Sequence, residues 1–154
     1  MKFALNSAKD PIGVGLAAPQ AGYSLRIFVI KPTEKSDIQV FINPKITANN
    51  SQLTNNELEV GSQKLGVTKL EGCLSLLNIW GDVIRETSIS VSYLDENGKS
   101  HNRKFTGFIS TIIQHEVDHL NGILFPKRVL EQKGKLYKSR KDEKNEDVFE
   151  EIEI

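Results

Sequence analysis

Apolar positions along this chain fall into short alternating runs, with one stretch at helical spacing. "LRIFVIK" (Leu25–Lys31) is rich in β-branched and aromatic residues and stops at Pro32, which predicts a strand. "IQVFINP" (Ile38–Pro44) predicts another, closed by Asn43-Pro44. "SISVSYLDENGKSHNRKF" (Ser88–Phe105) alternates and turns at Glu96-Asn97-Gly98, the strongest hairpin signal in the chain. The first ten residues fit a short helix ended by Pro11. Ile46–Lys69 is polar and reads as strand fragments joined by a mobile connection, and Glu71–Glu86 as extended and partly irregular. "ILFPKRVL" is apolar and broken by Pro126. "GVGLAAPQAG" (Gly13–Gly22) has no period, and its small residues predict a loop that something approaches closely.

The helical spacing lies in Phe108–Asn121. Thr106 is the candidate N-cap, the helix begins near Gly107, and Asn121-Gly122 ends it. At about 100° per residue, Ser110, Asn121, Gln114, Asp118 and Thr111 share a polar arc. Ile112, Ile109, Leu120, Ile113 and Val117 fill the opposite arc, which makes the helix amphipathic. His115 and His119 stand together at the border. Glu116 falls inside the apolar arc, where a carboxylate is costly unless it is paired or used.

The segment reads "QHEVDHLNG" (Gln114–Gly122). Histidines at i and i+4 project side by side and can share one metal ion. The adjacent glutamate then faces the same pocket and can take a proton from water that the ion activates. The bland alternative is a glutamate snorkelling from a core helix beside two satisfied histidines. The third ligand is open: a downstream glutamate, a third histidine or a thiol. No histidine follows Gly122, and the only other one is His101, in the hairpin. The single cysteine, Cys73 in "EGCLS", is the natural candidate, although a lone cysteine is usually a small buried hydrophobe. A Cys/His/His set leaves one coordination position open, the pattern of a catalytic site.

Composition narrows the classes. The 154 residues fit one compact domain, long enough to bury roughly two-thirds of the unfolded surface. Lys plus Arg number 20 and Asp plus Glu number 20, so net charge supplies no general pull toward nucleic acid or an anionic membrane. One cysteine excludes an internal disulfide and fits a reducing, cytoplasmic setting. No apolar run approaches the length of a membrane span. We expect a catalytic unit over residues 1–130 and a charged, solvated tail over 131–154, whose end "VFEEIEI" has strand character.

"GVGLAAPQ", "EGCLS" and "QHEVDHLNG", in that order, resemble the three motifs of the peptide deformylases. The resemblance covers the chain from Gly13 to about Val129. It implies an α+β fold, with antiparallel β-sheets packed around a central metal-binding HExxH helix. It also implies removal of the formyl group from the formyl-methionine of nascent polypeptides, hence work near the ribosome, in the cytoplasm or in a eukaryotic organelle. Cys73, His115 and His119 would bind a divalent metal, usually Fe2+, with Zn2+, Ni2+ or Co2+ as substitutes. Glu116 would be the general base and acid. The Gln20 amide and the Leu74 backbone N–H would form the oxyanion hole, and Gly15 would pair its backbone with the substrate. Val14, Leu74, Phe108 and Ile112 are candidates for the methionine pocket. Glu71 and Arg85 are candidates for an ion pair that orients the Cys73 loop. Three departures stand out: Leu77 where the family often has proline, a long connection over Ile46–Lys69, and only about a dozen residues before the glycine motif. From the last, a shortened N-terminus, we expect that the chain either exposes an apolar patch that drives self-association or is a shortened form of a longer protein. Two other functions stay open: another HExxH metallopeptidase, and a catalytically silent relative that binds nascent N-termini.

Overall fold

The computed structural model describes residues 1–8, 13–47 and 66–153. After helix α1 (Lys2–Ser7) come β1 (Gly15–Ala17), a 3-10 turn (Ala18–Ala21), β2 (Ile27–Ile30) and β3 (Gln39–Thr47). Then follow β4 (Gly66–Cys73), β5 (Leu76–Glu86), β6 (Ser88–Leu94) and β7 (Ser100–Thr106). Helix α2 (Gly107–Leu120), helix α3 (Phe125–Glu131), β8 (Leu136–Lys141) and β9 (Asp147–Ile152) complete the described chain. The strands form two antiparallel sheets, ordered β1-β2-β3-β6-β7 and β4-β5-β8-β9.

Alternation explains the first sheet. In β6, every second residue of "SISVSYL" is buried, because successive strand side chains point to opposite faces. Phe28, Phe41, Tyr93 and Phe105 from that face meet Ile112 and Ile113 of α2 in the main core. The Phe28 and Phe41 rings stack at 4.7 Å. A smaller cluster of Cys73, Val83, Phe125 and Val129 joins the second sheet to α3. Leu5 of α1 is buried with Leu16 and Val29, while Phe3 remains 84% exposed.

Several expectations need correction. The expected loop Gly13–Gly22 contains an edge strand and a 3-10 turn. Asn43-Pro44 does not close β3: the strand passes through it on an irregular register, with Asn43 at φ 50° and Pro44 buried. A bulge is one of the few places where a strand tolerates a residue without an N–H. Glu71–Glu86 is extended, as expected, and forms a long hairpin that turns at Leu74-Ser75, with its irregularity confined to a register shift between Gly72 and Cys73. Pro126 opens α3 rather than breaking it, since the first helical turn needs no N–H there. Most of Ile46–Lys69 lies outside the described residues. The charged stretch after Glu131 is folded against β5 as the β8–β9 hairpin, and β9 is the strand expected at its end.

The polar arc of α2 is also not a solvent face. Ser110, Thr111 and Asp118 are buried, because α2 touches both sheets. There side-chain amides continue the strand pairing. Gln132 accepts from the Ile84 N–H at 2.7 Å and donates to the Ile84 carbonyl at 3.1 Å. Gln114 does the same at Glu86, at 3.1 and 2.9 Å. Beyond β8, these two amides occupy the outer edge of β5. Replacing Gln132 by leucine should cost about 0.5–1.5 kcal/mol, the net worth of such bonds. Urea unfolding that shows no loss would mean that solvent serves Ile84 equally well.

Candidate metal centre

The β4–β5 hairpin folds back at Leu74-Ser75, which carries Cys73 to its tip. Helix α2 presents His115 and His119 one turn apart, with ring centroids 4.8 Å apart. Cys73 Sγ lies 3.2 Å from His119 Nε2, which lies 3.1 Å from His115 Nε2. All three donor atoms fall within 4.8 Å of one another. Burial pushes the Cys73 thiol up, but hydrogen bonds from His115 and His119 outweigh it and bring its pKa to about 5. Burial likewise opposes charge on His115, yet its bonds to Cys73 and Glu71 raise it to about 10.

A buried ionic chain stands behind the histidines. His115 Nδ1 lies 2.9 Å from Glu71 Oε2, which leaves Nε2 to face the other donors. Arg85 grips Glu71 with two bonds, Nε to Oε1 at 2.8 Å and Nη2 to Oε2 at 2.9 Å. Its Nη1 donates to Asp118 at 2.6 Å, and Arg128 of α3 reaches the same carboxylate at 2.6 and 3.1 Å. Burial works against the charge on Glu71 and Asp118. Arg85 and His115 outweigh it at Glu71, and Arg128 and Arg85 at Asp118, so both stay below the usual carboxylate range.

Glu116 is different. Its Oε2 is buried with no hydrogen-bond partner among the described residues, and burial pushes its pKa up to about 7. A side chain on Gly15 would overlap Glu116 Oε1, so β1 approaches the carboxyl this closely only with glycine there. Gln20 is held from both ends. Its Oε1 accepts from the Ala17 N–H at 2.8 Å, and its Nε2 lies 3.0 Å from Ser75 Oγ and 3.4 Å from Cys73 Sγ. A pocket of about 390 Å³ opens here, bounded by Gly15 and Gln20 on one side, Cys73 and Leu74 on another, and Phe108 and Glu116 of α2. Val14, Ile112 and Glu71 also line it.

A sequence model of the family described as Polypeptide deformylase matches residues 1–135. This chain belongs to that family. The peptide deformylase of Treponema pallidum is 42% identical over 121 residues, 79% of this chain and 65% of its own. The chain therefore spans just under two thirds of that relative's length. The crystal structure of a peptide deformylase from Synechococcus elongatus, in complex with actinonin, matches with a TM-score of 0.61 and 39% identity. That match covers 75% of this chain and 56% of the other. The Thermotoga maritima peptide deformylase matches with a TM-score of 0.65 and 31% identity, over 80% and 74% of the two chains.

Polypeptide deformylases are metal-dependent, and the residues present fit a divalent ion. Thiolate and imidazole are the donors that zinc and ferrous iron accept. A cation would also give the unpartnered Glu116 carboxylate a counter-charge. The three expected donors converge, as do the expected pocket residues, and Glu71 pairs with Arg85. His101 lies elsewhere, bonded to Asp95 at 2.7 Å. Sequence reasoning missed the parts of Asp118 and Arg128. A buried aspartate on the helix's polar arc looks like any solvated one until the second sheet covers it. It also missed Trp80, which lines the pocket from β5. Replacing Arg85 by methionine leaves Glu71 and Asp118 buried without their shared cation, and should cost roughly 3–5 kcal/mol. Thermal and urea unfolding check this, and an unchanged stability would contradict it.

Proposed function

We propose that this chain is a metal-dependent hydrolase that removes the N-formyl group from the formyl-methionine of nascent polypeptides. The observation that carries the reading is the convergence of Cys73, His115 and His119 beside a buried, unpartnered carboxylate on the same helix. Cys73 Sγ and the Nε2 atoms of both histidines would hold the ion, and the family resemblance favours Fe2+. A divalent ion bound there supplies Lewis acidity, polarising a carbonyl and making water easier to deprotonate.

The protein groups do the rest. Glu116 accepts the proton of the attacking water and returns it to the departing amine nitrogen as the formyl C–N bond breaks. Formate and a free amino terminus result. A carboxyl raised to about 7 can both take and give a proton near neutral pH. Gln20 Nε2 and the Leu74 N–H donate to the carbonyl oxygen as negative charge grows on it. Strands β1 and β4 end their sheets and both border the pocket, so an extended peptide can add its backbone at Gly15 and along β4. Val14, Leu74, Phe108 and Ile112 receive the methionine side chain. Glu71 and Arg85 hold the hairpin tip and His115 in register. The partner is a formylated nascent chain, encountered at the ribosome in the cytoplasm or an organelle. Among the described residues no helix is long and apolar enough to cross a membrane.

Formate release from formyl-Met-Ala-Ser, with no cleavage of Met-Ala-Ser, separates this reading from a peptidase and from a silent binder. Glu116→Gln should keep the fold and the metal while lowering turnover at least about 10²-fold. Near-normal activity in the metal-loaded variant would remove Glu116 from its role. Metal uptake should also move protons. At pH 7.5 Cys73 is already a thiolate and His115 is protonated. Ligation needs a neutral imidazole, so zinc binding should release about one proton. Calorimetry in buffers of different ionisation enthalpy reads that number, and zero release would contradict the donor set.

A further inference from the structure

Trp80 borders the pocket from the outer face of the second sheet, and the C-terminal hairpin holds it there. Trp80 pairs with Gly72 on one side and with Tyr137 on the other. Gly72 lets the indole lie flat across β4: a Cβ at that position would stand 2.9 Å from the ring. From β8, Ser139 Oγ accepts the indole N–H at 3.1 Å. From β9, the Phe149 ring meets the indole edge-on at 5.8 Å between centroids. Ser139 and Phe149 are themselves register partners, so one rung of the hairpin makes both contacts. Ser139 sits two residues beyond Tyr137, the diagonal position that reaches a large cross-strand neighbour. This rung lies past residue 135, where the match to the family ends.

An extended peptide paired along β4 points successive side chains to opposite faces. If methionine enters the inner pocket, the next side chain falls on the outer face, beside Leu70, Gly72 and Trp80. We propose that Trp80 selects the residue after the formyl-methionine, favouring an aromatic or large apolar side chain, and that Ser139 and Phe149 are positioning residues that set its indole. The proposal rests on the deformylase reading of the site.

Two substrates test it, formyl-Met-Phe-Ala and formyl-Met-Ala-Ala. The wild-type protein should show a KM about tenfold lower for the phenylalanine peptide, the scale of one aromatic contact, with similar kcat. Ser139→Ala and Phe149→Leu should erase most of that preference by raising KM for the phenylalanine peptide alone, with circular dichroism unchanged. Ser139→Thr, which keeps the hydroxyl, should restore it. Trp80 is the only tryptophan in the chain. Its emission should therefore shift when the unformylated product Met-Phe-Ala is titrated in, and shift less with Met-Ala-Ala. Equal KM values for the two peptides, or variants that keep the wild-type preference, would overturn the proposal. A wild-type protein that releases formate from neither peptide defeats the deformylase reading alone. The emission titration then decides by itself, and an unmoved emission rejects Trp80 as a contact.

Discussion

A single buried guanidinium holds this architecture together. Arg85 reaches from β5 to Glu71 on β4 and to Asp118 on α2, and Asp118 passes the connection to Arg128 on α3. Two carboxylates and two guanidiniums balance one another in a place where an unpaired charge would be strongly disfavoured. Because the arginine fork demands a fixed geometry, the hairpin that carries Cys73 and the helix that carries the histidines cannot shift independently. Glu71 uses its second oxygen on His115 Nδ1, so the same chain of charges ends by orienting a metal donor.

That constraint leaves Glu116 as the exception on α2. Its neighbours in the chain have partners, while its own Oε2 has none among the described residues. The cost of such burial is large unless the group has a use. Gly15 brings β1 against the carboxyl, and the pocket opens at the same point. Unpartnered burial, the influence of the three donors and access to the pocket thus coincide at one side chain.

Unpaired backbone in the second sheet is treated in two ways. On the outer side of β5, pairing passes from β8 to Gln132 and Gln114, whose amides serve the backbone of Ile84 and Glu86. On the far side, β4 ends the sheet and borders the pocket. The stretch of β5 that β8 leaves unpaired is closed by side chains that mimic a strand, and the β4 edge faces the site where a peptide strand can add.

Local patterns were enough to predict much of this. The hairpin at Asn97-Gly98, the helix Gly107–Leu120 and the conjunction of Cys73 with His115 and His119 could be read from the chain alone. Turn chemistry and the 3.6-residue period are properties of neighbouring residues, and donor type belongs to each residue by itself. Glu116 could be singled out for the same reason, as a carboxylate on an apolar arc. Tertiary structure decided the rest. Periodicity shows which face of a helix is apolar, not whether its polar face meets water or a second sheet, so the burial of Ser110 and Asp118 was invisible. Proline marks a local break, but only packing decides whether it ends a strand, rides a bulge as Pro44 does, or starts a helix as Pro126 does. The contacts of Trp80 with Ser139, 59 residues away, and with Phe149, further still, depend on the register between distant strands, and that register is set by the folded sheet.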